Sequence, residues 1–341
     1  MAEPSLMRRE IDEIPEALRR LLSGSGGAIE EIGARLRALD PAVIVTVARG
    51  SSDHAATYFK YASEITTGRP VASLGPSVVS VYGTALRLTG QVALAVSQSG
   101  RSPDIVALLA AARAGGAETV ALVNVEGSLL SQAAHHTLAL HAGPERSVAA
   151  TKSFVSSVAA SLAILAAWTG DTALTVALAE LPDRLNALPR PDWSAALPAF
   201  AGARSLFTLG RGPGFAVACE AALKCKETSI LHAEAYSGAE VLHGPVSLVE
   251  AGFPILAFVP DDPARAGLRE ISARVEASGA SLFTVGDAGY GTSLPHAATG
   301  HPLTEPLAML TAFYGFVETV SRERGHDPDV PRGLKKVTET V

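Results

Sequence analysis

Short apolar runs recur along the chain, each followed by a polar turn and then by a stretch with helical spacing. Residues 42–47 (AVIVTV), 91–96 and 119–123 carry few polar positions, the pattern of strands covered on both faces. Residues 54–66 and 105–114 between them read as helices. After residue 200 the order restarts, with strands at 205–209, 254–259 and 281–285 and helices near 216–231 and 264–277. Strand, turn, helix and strand at this spacing predict parallel βαβ units, hence an α/β fold with helices on both faces of each sheet.

The two halves keep register. Arg49-Gly50 recurs as Arg211-Gly212 at an offset of 162, and Val96 and Gly116 recur as Val259 and Gly279 at an offset of 163. Chance alignment of βαβ units would not hold over three elements, so the pattern predicts two similar domains in tandem. The expected organisation is two N-terminal helices over 1–40 broken at Ser23–Gly27, a first domain over 41–181, a linker over 182–200, a second domain over 201–324 and a tail over 325–341. The linker expectation rests on Pro182, Pro189, Pro191 and Pro198.

The 341 residues are 48% hydrophobic with a net charge of −6. That is ample for two cores, and without a basic run it argues against nucleic acid as a partner. The N-terminus has no apolar run and does not read as a signal peptide. The longest uncharged stretch, residues 153–170, holds four serines. It is barely long enough to span a bilayer and is read as a buried helix. The expectation is therefore a cytoplasmic chain with no membrane partner. Cys219 and Cys225 lie six apart on one expected helix and cannot easily bridge, and no Cys/His spacing suits a metal.

Ligands of open parallel sheets bind at the carboxyl ends of the strands. The turn after residue 96, SQSGRSPD, offers hydroxyls from Ser97, Ser99 and Ser102, a backbone at Gly100 that a ligand can approach, and Pro103 to open a helix. A sugar phosphate suits that construction, whereas capping by Ser102 alone would explain one serine. The equivalent turn of the second half, Asp261-Asp262-Pro263, is acidic and would repel phosphate. No GxGxxG follows the first strand, and neither a P-loop nor GxSxG occurs. The stretch from Cys219 to Pro245 gathers Glu220, Lys224, Lys226, Glu227, His232, Glu234, Tyr236, Glu240 and His243 on a helix and the polar loop expected after it. Glu220 and Lys224 are spaced for a helical ion pair. Few stretches of this length hold so many side chains able to move protons.

SQSGRSPD, VAATKSF at 148–154, LKCKETSILHAEAYSGAEVLHGP and the terminal PRGLKKVT together resemble the sugar isomerase (SIS) domain family. The likeness is strongest to the isomerase half of the glutamine–fructose-6-phosphate aminotransferases, over nearly the whole chain. It implies two tandem SIS domains, each a flavodoxin-like doubly wound parallel sheet flanked by helices, and no cofactor or metal. Ser52, Ser97, Gln98, Ser99 and Ser102 match the family's sugar-phosphate cradle, Val148 and Ala149 its backbone contacts to the sugar, and Lys224 a sugar-contacting lysine. Glu227 matches the base of the 1,2-proton transfer. His243 matches the ring-opening histidine, which in the family is shared across a homodimer interface. Lys336 matches the tail lysine that forms a Schiff base. Four departures stand out: Arg49 and Lys335 where small residues are usual, Ala150 for serine and Leu242 for lysine. The family synthases also carry an N-terminal glutaminase domain that this sequence does not show. The implied function is an amino-sugar-phosphate isomerase/deaminase taking glucosamine 6-phosphate to fructose 6-phosphate and ammonia. Alternatives are a fructosamine-6-phosphate deglycase or a non-catalytic sugar-phosphate sensor. Composition alone would leave the tail loose. Its prolines lower the cost of ordering it, so an ordered, catalytic tail is expected, with Lys335 pushing Lys336 towards the neutral amine.

Overall fold

The computed structural model describes residues 3–336. Among these, ten strands form two five-stranded sheets, every pairing parallel. The first comprises β1 (Ile44–Val47), β2 (Val71–Ser73), β3 (Val92–Ser97), β4 (Glu118–Val123) and β5 (His136–Ala139) in the order β2-β1-β3-β4-β5. The second comprises β6 (Ser205–Gly210), β7 (His232–Ser237), β8 (Pro254–Val259), β9 (Ser281–Gly286) and β10 (Thr292–Leu294) in the order β10-β9-β8-β6-β7. Read from the other edge, the second order repeats the first. Both are the flavodoxin-like 2-1-3-4-5 arrangement, whose reversal of direction lies between strands 1 and 3.

The repeat extends to backbone angles. Gly50 and Gly212, preceding the helices Ser51–Thr67 and Pro213–Ser229, both adopt φ 57° and ψ −134°. Gly116 and Gly279, before β4 and β9, both have φ 91°. Side chains avoid these angles, so glycine marks the same two bends in each half.

The described residues fall into two compact units. One holds 16–145, 152–179 and 335–336 and carries the first sheet; the other holds 3–15, 146–151 and 180–334 and carries the second. The helix Lys152–Thr169 is long and apolar enough to cross a membrane. Within its unit it packs against Gly26–Leu39 and Ser51–Thr67, and its serines Ser153, Ser156, Ser157 and Ser161 are buried with it.

Several local expectations are corrected. The N-terminal region forms three helices, Leu6–Asp12, Ile14–Gly24 and Gly26–Leu39, because the chain bends at Glu13 as well as at Ser25. The expected linker is structured. Pro182 lies inside the helix Thr172–Ala187, whose Leu174, Leu178, Leu181 and Leu185 form one buried stripe that outweighs the hydrogen bond proline forfeits. Trp193 is buried, donates from Nε1 to Pro295 O at 2.8 Å and packs at a tilt against Phe316. The polar stretch after Ser229 is a strand, β7, in register with β6. Cys219 and Cys225 are free thiols, and burial pushes Cys225 up to about 12.

Candidate functional site: a phosphate-type cleft and an acid–base helix

The carboxyl ends of β1, β2 and β3 open on a cleft of about 620 Å³ in the first unit. It lies where the strand order reverses, the position that the topology predicts. Ser52, Ser97, Gln98, Ser99, Ser102 and Lys336 all line it. The turn after β3 is built to stay open. Ser97 Oγ accepts from Gly100 N at 3.1 Å and Ser99 Oγ from Arg101 N at 3.4 Å. Gly100, at φ 61°, has Ser128 so close that an added Cβ would lie 2.2 Å from its Oγ. Ser102 precedes the helix Pro103–Ala114 without a side-chain cap bond. Its hydroxyl therefore does not take up the helix's first N–H groups, at the end of a helix that favours an anion.

Sequence reasoning noticed Arg49 only as a departure. It also lines the cleft, with Nε 2.5 Å from Asp104 Oδ2 in the first turn of the helix Pro103–Ala114. Asp53 and Ser73, not singled out beforehand, line it too. Burial pushes the Asp53 carboxyl above its ordinary value against the opposing effects of His54 and Ser73. Their signal in the sequence was position alone, since each lies at or just beyond the carboxyl end of a strand.

Lys336 reaches the cleft from the tail. Its Nζ lies 3.1 Å from Glu145 Oε2, and the Glu145 side chain is fully buried. The charged neighbour of Lys336 in the cleft is therefore a buried carboxylate. Lys335, the other lysine of the pair, is exposed. Residues 337–341 of the expected tail lie outside the described residues.

The remaining candidates lie in the second unit. On the helix Pro213–Ser229, Glu220, Lys224 and Glu227 follow at i, i+4 and i+7 and share one face. Lys224 is fully buried, 3.1 Å from Glu220 Oε1 and 2.5 Å from Glu227 Oε2. Tyr314, on the helix Glu305–Glu323, donates to Glu220 at 3.2 Å. Burial works against the lysine's charge, but Glu220 and Glu227 outweigh it, so its pKa lies well above that of an ordinary lysine. Lys224 is thus a fixed cation that orients Glu227. Glu227 is the less buried end of the chain of charges, its side chain 22% exposed.

His243 follows the short turn Glu240–Leu242 and is exposed, and its amide donates to Glu240 O. Among the described residues no hydrogen bond or ion pair joins it to Glu227. Val148 is half-buried and Ala149 buried. The loop leading to them is held by Glu10, whose carboxylate accepts from the amides of Arg146 and Ser147. No group of His, Cys, Asp and Glu suited to a metal ion occurs among the described residues.

Residues 40–167 match the SIS domain. A glutamine–fructose-6-phosphate aminotransferase of Symbiobacterium thermophilum is 34% identical over 97% of this chain and 58% of its own length. The chain thus spans little more than half of that relative. A crystal structure from Silicibacter pomeroyi, provisionally named a phosphosugar isomerase, is 53% identical, with a TM-score of 0.92 over 96% of this chain and all of that one. The C-terminal domain of glucosamine-fructose-6-phosphate aminotransferase from Francisella tularensis is 25% identical, with a TM-score of 0.82 over 97% of this chain and 99% of that one. With the repeated 2-1-3-4-5 sheets and a cleft at the strand ends of the first, these likenesses establish that the chain belongs to the SIS domain family.

Proposed function

We propose that this chain is a phosphosugar aldose–ketose isomerase/deaminase that converts glucosamine 6-phosphate and water to fructose 6-phosphate and ammonia. The observation that carries the reading is the cleft where Ser97, Ser99 and Ser102 stand with Lys336. Hydroxyls and the helix start suit a phosphate, and an amine in the same cleft suits a carbonyl carbon of the same ligand. In this reading His243, presented across the interface of a cytoplasmic homodimer, assists ring opening. Glu227 removes the C2 proton and returns it to C1, leaving an imine at C2. Lys336 attacks C2 and ammonia departs; water then releases the ketose. Val148 and Ala149 contact the sugar through their backbone, and Ser52 and Gln98 complete the cradle. Lys224 is fully buried between two carboxylates, so its part is to orient Glu227 rather than to reach the sugar itself.

The test couples ammonia and ketose detection on glucosamine 6-phosphate. Both products are expected in equal amounts. Ser99→Ala should raise KM by roughly 10- to 100-fold, the worth of one hydroxyl on a charged oxygen. Turnover confined to fructosamine 6-phosphates would replace this reading with a deglycase, and binding without turnover of either class would leave a sensor.

A further inference from the structure

We propose that Glu145 is the positioning residue for Lys336, pinning its ammonium in the cleft and accepting the proton it must lose before it can attack. The inference rests on the nucleophilic role given to Lys336 above. Glu145 precedes the helix Lys152–Thr169 and is itself fixed there. Its Oε1 accepts from Ser153 N at 3.0 Å, and its Oε2 from Ser153 Oγ at 2.6 Å and from Lys336 Nζ at 3.1 Å. A carboxylate bonded to the first turn of a helix has little freedom, so the lysine head it holds is located by the helix and not by the tail. The Lys336 side chain is 25% exposed while that of Glu145 is fully buried. A ligand in the cleft can therefore meet the amine without displacing the acid.

An ammonium has no electron pair to give. One proton must pass from Nζ to Glu145 Oε2. The Nζ pair then forms a bond to C2 while the carbonyl π pair moves onto oxygen. The proton parked on Glu145 and a second Nζ proton leave with that oxygen as water. The net change is ammonium plus ketone to protonated imine plus water, with no oxidant or reductant, and Glu145 ends as it began.

A plain tether of the tail would use the same ion pair, and kinetics separate the two. The full chain is incubated with fructose 6-phosphate and borohydride, and the rate of the reduced adduct is followed by intact mass. Affinity for inorganic phosphate reports on the cleft. Glu145→Gln keeps the size of the side chain and one acceptor, which can still serve Ser153 N. It is expected to slow adduct formation by about 100-fold, the scale of a lost proton acceptor, with phosphate affinity unchanged. Glu145→Asp, a carboxylate set back by one methylene, should label between the two, about tenfold below the native rate. Native labelling in Glu145→Gln overturns the proposal, and so does a phosphate affinity that falls in step with labelling. Should Glu145→Gln not fold, Glu145→Asp decides: a native rate overturns the proposal and a slowed one supports it. Absence of any adduct in the native protein removes the nucleophilic role of Lys336 and this inference with it. Labelling of the native protein at a rate indifferent to residue 145 sinks the inference alone.

Discussion

At Lys224 a single ammonium sits between two carboxylates, out of contact with water. Removing it leaves Glu220, also fully buried, as a charge that has lost its cation, with Tyr314 still donating to it. Breaking a buried ion pair from one side costs about 3–5 kcal/mol, far more than an exposed pair. Lys224→Met should therefore lower the unfolding free energy in urea by that amount. Lys224→Met with Glu220→Gln should recover most of it, since the one carboxylate then left without its cation, Glu227, is partly exposed to water; a single variant within about 1 kcal/mol of the native protein would show that solvent reaches the site. Lys224 and Glu227 were legible in the sequence because helical spacing places i, i+3 and i+4 side chains together. Glu145 was not. It is a lone acid in a loop, and Lys336 comes from 191 positions away; no local spacing rule spans that distance.

The turn after β3 depends on a backbone angle as much as on its serines. Gly100→Ala would place a Cβ at φ 61° and against Ser128. The left-handed conformation alone costs an L-residue about 1–2 kcal/mol. The expected outcome is a loss of at least that in urea unfolding, with weaker phosphate binding as the turn shifts; binding at native strength would show that the ligand does not depend on the turn's shape. The central strands of both sheets were readable as continuous apolar runs. The four unread strands, β2, β5, β7 and β10, are the sheet edges. An edge strand is covered on fewer sides and needs less apolar sequence. β7 reads HAEAYS and shows only Ala233 fully buried, so its residues look like those of a loop. The Pro182 helix misled for the opposite reason, because a local breaker was overruled by a buried leucine stripe.

The duplicated sheets differ in what each kept: a hydroxyl-lined turn in the first, and in the second an acidic turn beside a helix bearing Glu220, Lys224 and Glu227. The second unit is closed by contacts between distant parts of the chain. Glu318, on the helix Glu305–Glu323, accepts from Ser5 at 2.7 Å and Arg8 at 3.0 Å in the N-terminal segment. Burial pushes the Glu318 carboxyl up, and the Ser5 hydrogen bond, the charge and hydrogen bond of Arg8 and the hydrogen bond of Arg322 more than offset it, holding it below its ordinary value of 4.5. A depressed carboxyl contributes stability above its unfolded pKa and loses it as pH falls through the folded one. Glu318→Gln should thus melt earlier than the native protein at pH 7, and the gap should close in acid below about pH 4. An equal gap at both pH values would assign the effect to packing. Asp329 draws the same segment in, accepting from the amides of Leu6 and Met7 at 2.6 and 2.8 Å. Those partners are 323 and 322 positions apart. At the pace of a ribosome, about 5–20 residues per second, the helix Leu6–Asp12 waits roughly 15–65 s for the residues that cap its first turn. Through most of that interval the nascent chain displays Met7 and Ile11, which are buried in the finished protein, so a chaperone that grips short apolar segments has an unusually long opportunity at this helix.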